Sequence, residues 1–248
     1  MESGLTARGR RKPIILDTDP GIGSPGSDVD DGLAIALGLL HPRCELLGLT
    51  IVAGNVVHEE GLANTLRLLE IAGRTEVPVV PGATRPLIRD PSRIREWMGA
   101  RRRQAVDRFW DLGPFSAPAL SPAKARAAEF IADAVRARPG EVTVVAIGPC
   151  TNVATALLID PAVANALAEI VVMGGAIGVP GLLNPADEFN VGYDPESVAV
   201  VLASGAPVTL VPLDVTTRTI LTPRDLERIA GVGTPLHTFL ATTGRPWQ

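Results

Sequence analysis

The chain has 248 residues, of which 46% are hydrophobic and 20% are charged, a composition typical of a globular protein and not of a disordered one. Its formal net charge of −4 argues against electrostatic binding of nucleic acid, and no apolar run approaches the roughly 18–20 residues that a membrane span needs. Two cysteines, Cys44 and Cys150, are too few for a disulfide framework and favour a reducing compartment, here expected to be the cytoplasm.

The chain opens with a basic segment. Residues 1–12 hold four basic side chains and almost no apolar ones. Because no long apolar stretch follows these charges, a secretory signal is not indicated. We predict that residues 1–12 form a flexible basic tail and that residues 13–248 form one α/β domain.

Short apolar runs alternate with helical patterns from residue 14 onward. Ile14-Ile15-Leu16 is typical of a strand that is buried on both faces, and Leu62, Leu66 and Leu69 lie on one face of a helix. The predicted strands are 14–16, 46–52, 77–80, 142–147, 170–173 and 208–211, and the predicted helices are 30–40, 58–72, 124–138, 152–158, 195–203 and 223–229.

Residues 84–123 interrupt this alternation. They combine several prolines and aromatic residues with the basic triplet Arg101-Arg102-Arg103. We interpret the segment as an insertion or lid with some helix, and the triplet as a solvated helix face.

Strands separated by helices at this spacing specify right-handed crossovers. The pattern therefore predicts an open, mostly parallel, Rossmann-like α/β sheet with helices on both faces. In such a sheet the ligand site lies beyond the carboxyl ends of the strands, so chemically active residues are expected just after the strands.

The loop after the first strand is unusually acidic. Asp17 and Asp19 follow the strand directly, and Asp28, Asp30 and Asp31 stand at the start of the next helix. Helix capping accounts for one or two of these carboxylates but not for two converging groups. Since crowded carboxylates repel one another, a hard divalent cation with oxygen ligands, Ca²⁺ or Mg²⁺, best accounts for the cluster.

Two alternative motifs fit this loop less well. An EF-hand that starts at Asp28 would need a glutamate at its twelfth position, where Leu39 stands. A haloacid-dehalogenase-like phosphatase stays an alternative, because Asp17-x-Asp19 after a strand also begins that motif. Against it, Pro20 replaces the usual glycine, and Lys124, the only internal lysine, lies in an ordinary amphipathic helix.

Five segments in order resemble one enzyme family. The sequence DTDPG, followed by DVDDGLAIAL, closely resembles the opening motif of the inosine–uridine-preferring nucleoside hydrolases. Four later segments are similar to the motifs of that family, in the same order: 50–56 (TIVAGNV), 146–154 (AIGPCTNVA), 172–175 (VMGG) and 188–196 (EFN followed by DPE).

The resemblance implies Ca²⁺-dependent hydrolysis of the bond between ribose and base. Asp19, Asp31 and the backbone carbonyl of Ile147 would hold the ion, and Asp19 would also be the catalytic base. Asp17 would support the loop from behind. An oxocarbenium-like transition state suits a cradle of carboxylates.

The same resemblance implies a set of substrate-binding residues. Asp30 and Asn190 would each hold a ribose hydroxyl, Glu188 would hold the 5′-hydroxyl, and Asn55 and Met173 would line the sugar pocket. Taken singly, Asn55 could equally close a turn and Met173 is more typical of a core position. The partner implied is a small nucleoside, with neither nucleic acid nor membrane, and the family suggests a homodimer or homotetramer.

The sequence departs from the family pattern in several places. Residues 22–29 lengthen the acidic loop, so either the loop bulges outward or Asp28 replaces a ligand. Leu182 stands where the family commonly has an asparagine, for which Asn184 is a candidate substitute. Residues 84–123 contain no histidine, which removes one family route for protonating the leaving base.

The last departure concerns the carboxyl end of the chain. Family members continue with a His-Asp pair that completes the metal site, whereas His237 is followed by no aspartate. We therefore expect a chain that is truncated at its carboxyl end and lacks the last elements of the fold. A non-catalytic remnant that binds nucleoside or ribose is the alternative function.

Overall fold

A computed structural model of the chain describes residues 10–109, 115–182 and 187–247. Within these residues, six strands form one sheet: β1 (Lys12–Thr18), β2 (Cys44–Ile51), β3 (Val79–Pro81), β4 (Thr143–Ala146), β5 (Glu169–Met173) and β6 (Val208–Val211). The strand order is β3-β2-β1-β4-β5-β6, and every neighbouring pair runs parallel. The predicted open parallel sheet is confirmed.

Helices connect the strands and cover both faces of the sheet. They are α1 (Asp30–Leu40), α2 (His58–Ala72), α3 (Ser92–Phe109), α4 (Ala127–Ala137), α5 (Thr151–Ile159), α6 (Ala162–Ala166), α7 (Phe189–Tyr193), α8 (Pro195–Ala203), α9 (Leu213–Thr216), α10 (Pro223–Ala230) and α11 (Pro235–Gly244), followed by a 3₁₀ turn (Arg245–Trp247). Ile15 of β1 packs into a core with α4, α5 and α8, whereas Leu16 packs into a core with α1, α2 and α11. Because successive strand residues point to opposite faces, these two contacts confirm that β1 is buried on both sides.

The strand order places a topological switch point between β1 and β4. From β1 the chain first builds outward through β2 to β3 and then returns to add β4 on the other side. Asp17 of β1 pairs in register with Thr50 of β2 and with Ala146 of β4, so three strands end together here. Ligands of open α/β sheets bind in the crevice at this kind of position.

The structure differs from the sequence prediction mainly in the short elements. Helices α6, α7 and α9 were not predicted, since a single turn leaves too few residues to show a helical period. Helix α11, of ten residues, was also absent from the helices predicted from periodicity. The segment predicted as an insertion or lid contains the 18-residue helix α3. Residues 1–9 of the predicted tail lie outside the described residues, and β1 begins at Lys12.

The described residues also show the state of the cysteines and the character of the helices. Both cysteines are free there: Cys150 is buried and Cys44 is partly buried. None of the helices in the described ranges combines the length and the apolar character needed to cross a bilayer.

Candidate active site

The end of β1 and the start of α1 bring the predicted acidic residues together. The side chains of Asp17 and Asp19 are fully buried, and Asp31 is 3% exposed. Asp28 and Asp30 face the open side of the same region and are accessible to solvent. The two acidic clusters of the sequence therefore converge, as predicted, at the carboxyl edge of the sheet.

Asp17 ties this region to the strands behind it. One of its carboxylate oxygens accepts hydrogen bonds from the Thr50 hydroxyl (2.5 Å) and from the Asn152 amide (2.8 Å). Burial raises the pKa of Asp17 to about 7, although both hydrogen bonds act in the opposite direction. The contacts join β1 to β2 and α5, which agrees with the supporting position implied for Asp17.

Asp19 sits in a close-fitting slot. Its Oδ2 accepts the backbone N–H of Asn55 at 2.6 Å, while Oδ1 is buried without a hydrogen-bond partner in the described part of the chain. Glycines form both walls: a Cβ on Gly54 would stand 2.0 Å from Oδ2, and one on Gly148 would stand 2.6 Å from Oδ1. Burial, and then the charge of Asp31, raise the pKa of Asp19 well above its usual range.

Asp31 is held beside Asp19 by its own set of donors. Its Oδ1 accepts the Thr18 hydroxyl and, at 3.4 Å, the backbone N–H of Asp19. Its Oδ2 accepts the side-chain amide of Asn55 at 3.1 Å. Asn55 therefore bridges the two carboxylates, one with its backbone and one with its side chain. Burial and the charge of Asp30 raise the pKa of Asp31 to about 7.

The fit of this cluster to a cation can be judged from its chemistry. Buried carboxylates with raised pKa values, one with an unpartnered oxygen, are stable as anions only when a positive charge is close. Among the described residues, no group of three or more Asp, Glu, His or Cys side chains is arranged to hold a metal ion. Asp19 and Asp31 fit a hard cation, with the Ile147 carbonyl at the pocket as a third candidate donor.

A cavity of about 450 Å³ opens at this edge of the sheet. All five residues predicted to bind substrate line it: Asp30, Asn55, Met173, Glu188 and Asn190. Asp28 and Ile147 line it as well. Its size falls within the range of small-molecule sites. The predicted substrate-binding residues thus share one pocket. Asp19 and Asp31 do not line it, but both accept hydrogen bonds from Asn55, which does.

Glu188 and Asn190 are fixed by hydrogen bonds rather than free. Glu188 is 3% exposed and caps α7 by accepting the backbone N–H groups of Asn190 and Val191, and it also accepts that of Gly175. Asn190 directs its amide to the carbonyls of Ile147 (2.9 Å) and Met173 (3.2 Å). These contacts hold both side chains in the pocket wall in a defined orientation.

The structure tests the prediction that the lengthened loop bulges outward, but it does not reach Asn184, the candidate substitute at Leu182. Ser24 and Ser27 are buried, and Gly26 lies against the Arg102 carbonyl of α3, so the loop packs on a helix instead of bulging outward. Asp28 as a whole is accessible to solvent, but the surrounding protein partly desolvates its carboxylate. This desolvation, and then the charge of Asp30, raise the pKa of Asp28 to about 6. Leu182 lines the pocket and is exposed, whereas Asn184, its candidate substitute, lies outside the described residues.

Sequence reasoning missed the wall that α3 contributes. Trp97, Met98, Arg101, Gln104 and Ala105 line the pocket. Interpreting the basic triplet as a solvated face is wrong for Arg102, which is partly buried and forms a bidentate ion pair with Glu60. The spacing of Trp97, Arg101 and Gln104 is that of one helical face, which is the signal that could have revealed this wall.

His237 takes no part in the pocket. It lies on α11, where its ring contacts the Thr234 hydroxyl at 2.7 Å. Because none of the three histidines lines the described pocket, no imidazole there is placed to protonate a leaving group.

Comparison with known proteins gives a consistent result. Residues 14–246 match the family model described as inosine-uridine preferring nucleoside hydrolase. The chain is 37% identical over 235 residues to a probable uridine nucleosidase 2 and 40% identical over 220 residues to uridine nucleosidase 1, both of Arabidopsis thaliana. These alignments cover 94% and 88% of the chain, which spans 69% and 61% of the two relatives.

A solved structure shows the same likeness in three dimensions. A purine-preferring ribonucleoside hydrolase from Gardnerella vaginalis superposes with a TM-score of 0.79 at 30% identity. The superposition covers 95% of this chain and 72% of that structure.

Proposed function

Since the chain belongs to the inosine-uridine preferring nucleoside hydrolase family, a family of N-glycosyl hydrolases, we propose that it hydrolyses ribonucleosides to ribose and free base in a Ca²⁺-dependent reaction. The observation that carries this proposal is the buried Asp19–Asp31 pair, which Asn55 bridges and connects to a pocket that Glu188 and Asn190 also line.

Asp19 is the base in this proposal. Its buried Oδ1 has no hydrogen-bond partner in the described structure and is available to take a proton from water that attacks C1′ of the sugar. Burial, together with the charges of Asp31 and Asp30, keeps the pKa of this carboxylate raised, which makes its anion a stronger proton acceptor. When bound, Ca²⁺ would neutralise the acidic pair, orient the vicinal ribose hydroxyls and lower the pKa of water.

The pocket suits a positively charged transition state. Breaking the glycosidic bond before water is fully bonded leaves oxocarbenium character on the ribose, which nearby carboxylates stabilise. Asp30 and Glu188 place two such groups along the pocket. Asn190, held by the carbonyls of Ile147 and Met173, offers its side-chain oxygen to a sugar hydroxyl.

Uridine is the first substrate to test, because the two curated relatives compared above are named uridine nucleosidases. Inosine is the second, because the Gardnerella structure is titled as purine-preferring. We propose hydrolysis of at least one of these two nucleosides and leave the order of preference to the assay.

The deciding experiment measures ribose release by the purified chain with Ca²⁺ and either nucleoside. Asp19→Asn, which keeps the size of the side chain but removes its basicity, should lower kcat by at least about 100-fold. Asp133→Asn is the matched control, because Asp133 lies on the exposed surface of α4, and it should behave as wild type. Binding of ribose with no release from either nucleoside would overturn hydrolysis in favour of a binding protein.

A further inference from the structure

Helix α3 places a cation against an aromatic ring in the pocket wall. The Arg101 guanidinium lies over the Trp97 ring, 4.8 Å from the ring centroid. Both residues line the cavity, and Gln104 continues the same face of the helix one turn later. Stacking on an indole face limits the orientations of a guanidinium without neutralising its charge.

Of the two arginines in this wall, Arg102 forms an ion pair with a carboxylate and Arg101 does not, among the described residues. Arg102 is held by both oxygens of Glu60, whereas no carboxylate of the described residues forms an ion pair with Arg101. Its charge nevertheless reaches the pocket: desolvation and the charge of Asp30 raise the pKa of Asp28, which lines the same cavity, and the charge of Arg101 offsets part of that rise. The wall of α3 thus presents a fixed positive charge to whatever occupies the space in front of it.

The pocket has two chemically distinct sides. The residues assigned to the sugar lie at the ends of strands and at α7: Asp30, Asn55, Met173, Glu188 and Asn190. The second group of lining residues consists of Trp97, Arg101 and Gln104, together with the loop around Ser27. A nucleoside that places its ribose on the first group would direct its base toward the second.

We propose that Arg101 contacts the departing base and stabilises the negative charge that it gains as the glycosidic bond breaks. The inference rests on the proposed function and adds the residue that assists the leaving group. Carbonyl oxygens and ring nitrogens of uracil and hypoxanthine are the acceptors that a guanidinium would meet.

The electron balance of this step is simple. The bond between C1′ and the base nitrogen breaks, and its electron pair stays on the base. Arg101 donates hydrogen bonds to the resulting anion and keeps its own protons, because a guanidinium is not an acid at neutral pH. Water adds to C1′ and loses a proton to Asp19, and the free base takes up a proton from the solvent.

The test compares two substrates that differ in how much assistance the leaving group needs. Uracil is a poor leaving group, whereas 4-nitrophenolate, released from 4-nitrophenyl β-D-ribofuranoside, is stable without help. For Arg101→Gln we expect kcat on uridine to fall by about 100-fold. On the nitrophenyl riboside kcat should change by less than about threefold, since charge stabilisation on that leaving group contributes little.

Two further variants keep the result interpretable. Arg101→Met retains an apolar stem over Trp97 but has no charge, and it should reproduce the pattern of Arg101→Gln. Arg103→Gln removes a neighbouring exposed arginine outside the main pocket and should match wild type on both substrates. Thermal unfolding of each variant within about 2 °C of wild type confirms an intact fold.

The outcomes separate this inference from the function on which it rests. Wild type that hydrolyses none of uridine, inosine and the nitrophenyl riboside overturns the proposed function, and the role of Arg101 with it. An active wild type with equal losses on both substrates assigns Arg101 to positioning and overturns leaving-group assistance. An active wild type with no loss on uridine in the Arg101 variants overturns any contact with the base.

Discussion

Asp19 owes its position to the two glycines that flank its carboxylate. Gly54 and Gly148 belong to the segments after β2 and β4, and a Cβ at either position would overlap a carboxylate oxygen. Neither glycine has a positive φ, so the requirement is for space and not for an unusual backbone. A substitution there displaces the carboxylate without removing it.

This geometry makes a prediction for Gly54→Ala. The new methyl group would stand 2.0 Å from Asp19 Oδ2 and force the carboxylate away from Asn55. Because a displacement of about 1 Å can cost about 100-fold in rate, we expect a loss of that size in kcat for uridine. Gly38→Ala on α1 is the control, since its Cβ would meet Leu46 at an ordinary 3.6 Å. Equal activity of the two variants would show that Asp19 need not occupy this slot.

The residues of the site differ in how far the sequence revealed them. The acidic residues stood out because five aspartates within fifteen positions exceed any need for capping. The bridging contacts of Asn55 could not be predicted, since they depend on the distance between β2 and α1 in space. Glu188 could be taken for a surface acid until its contacts with three backbone N–H groups were seen.

At the scale of elements, the lengthened acidic loop and α3 form one unit. Gly26, with φ of +68°, allows the loop to touch the Arg102 carbonyl, where a Cβ would stand at 2.4 Å. Arg102 then reaches Glu60 on α2 with two hydrogen bonds, of 2.7 and 3.0 Å, and its Nε donates to the Pro25 carbonyl. Two segments that depart from the family pattern thus pack against each other.

The ion pair between Arg102 and Glu60 should be measurably coupled. It is bidentate and partly buried, with side-chain exposures of 26% and 29%. A double-mutant cycle of Glu60→Gln and Arg102→Gln should therefore give a coupling energy of about 1 kcal/mol in the free energy of unfolding. The exposed pair Asp133–Arg136 on α4 is the control and should give about 0.3 kcal/mol. Coupling no larger than the control would mean that α3 is anchored by other contacts.

The sequence predicted the long elements better than the short ones for a physical reason. Helices such as α2 and α4 have an apolar stripe that repeats over three turns or more, and a strand such as β1 shows a continuous apolar run. Helix α3 has a weak apolar stripe, because the face that lines the pocket mixes Trp97 with the polar side chains Arg101 and Gln104. Only the packing of α3 on the acidic loop shows which face is which.

At the scale of the whole molecule, the switch point between β1 and β4 brings the residues of the site together. Asp17 and Asp19 lie at the end of β1, Asn55 follows β2, Ile147 follows β4, and Met173 ends β5. The rule that parallel strands converge at one edge was sufficient to predict this gathering from the sequence. It could not predict the wall that α3 contributes, because α3 lies in a connection whose path no periodicity specifies.

The whole molecule should respond to divalent cations through the acidic pair. Binding of Ca²⁺ to folded protein alone raises stability by about 2.7 kcal/mol at 100 times its dissociation constant. For a chain of this length that corresponds to a rise of about 5–10 °C in Tm, measured by calorimetry of chelator-treated protein with and without Ca²⁺. Asp31→Asn should abolish most of the rise, whereas Asp133→Asn should leave it intact, because the Asp133 side chain is exposed and does not line the pocket.

The same measurement has a defined dependence on pH. Without the cation, burial raises the pKa of Asp17 and Asp31 from the ordinary 3.8 to about 7, so the folded state holds protons that the unfolded state releases. The stability of cation-free protein should therefore fall as pH rises from about 4 to about 7. Ca²⁺ competes with those protons, so its effect on Tm should be small at about pH 5 and large at about pH 7.5. A rise in Tm that is equal at both pH values, or equally large in Asp31→Asn, would place the cation elsewhere and remove the acidic pair from the mechanism.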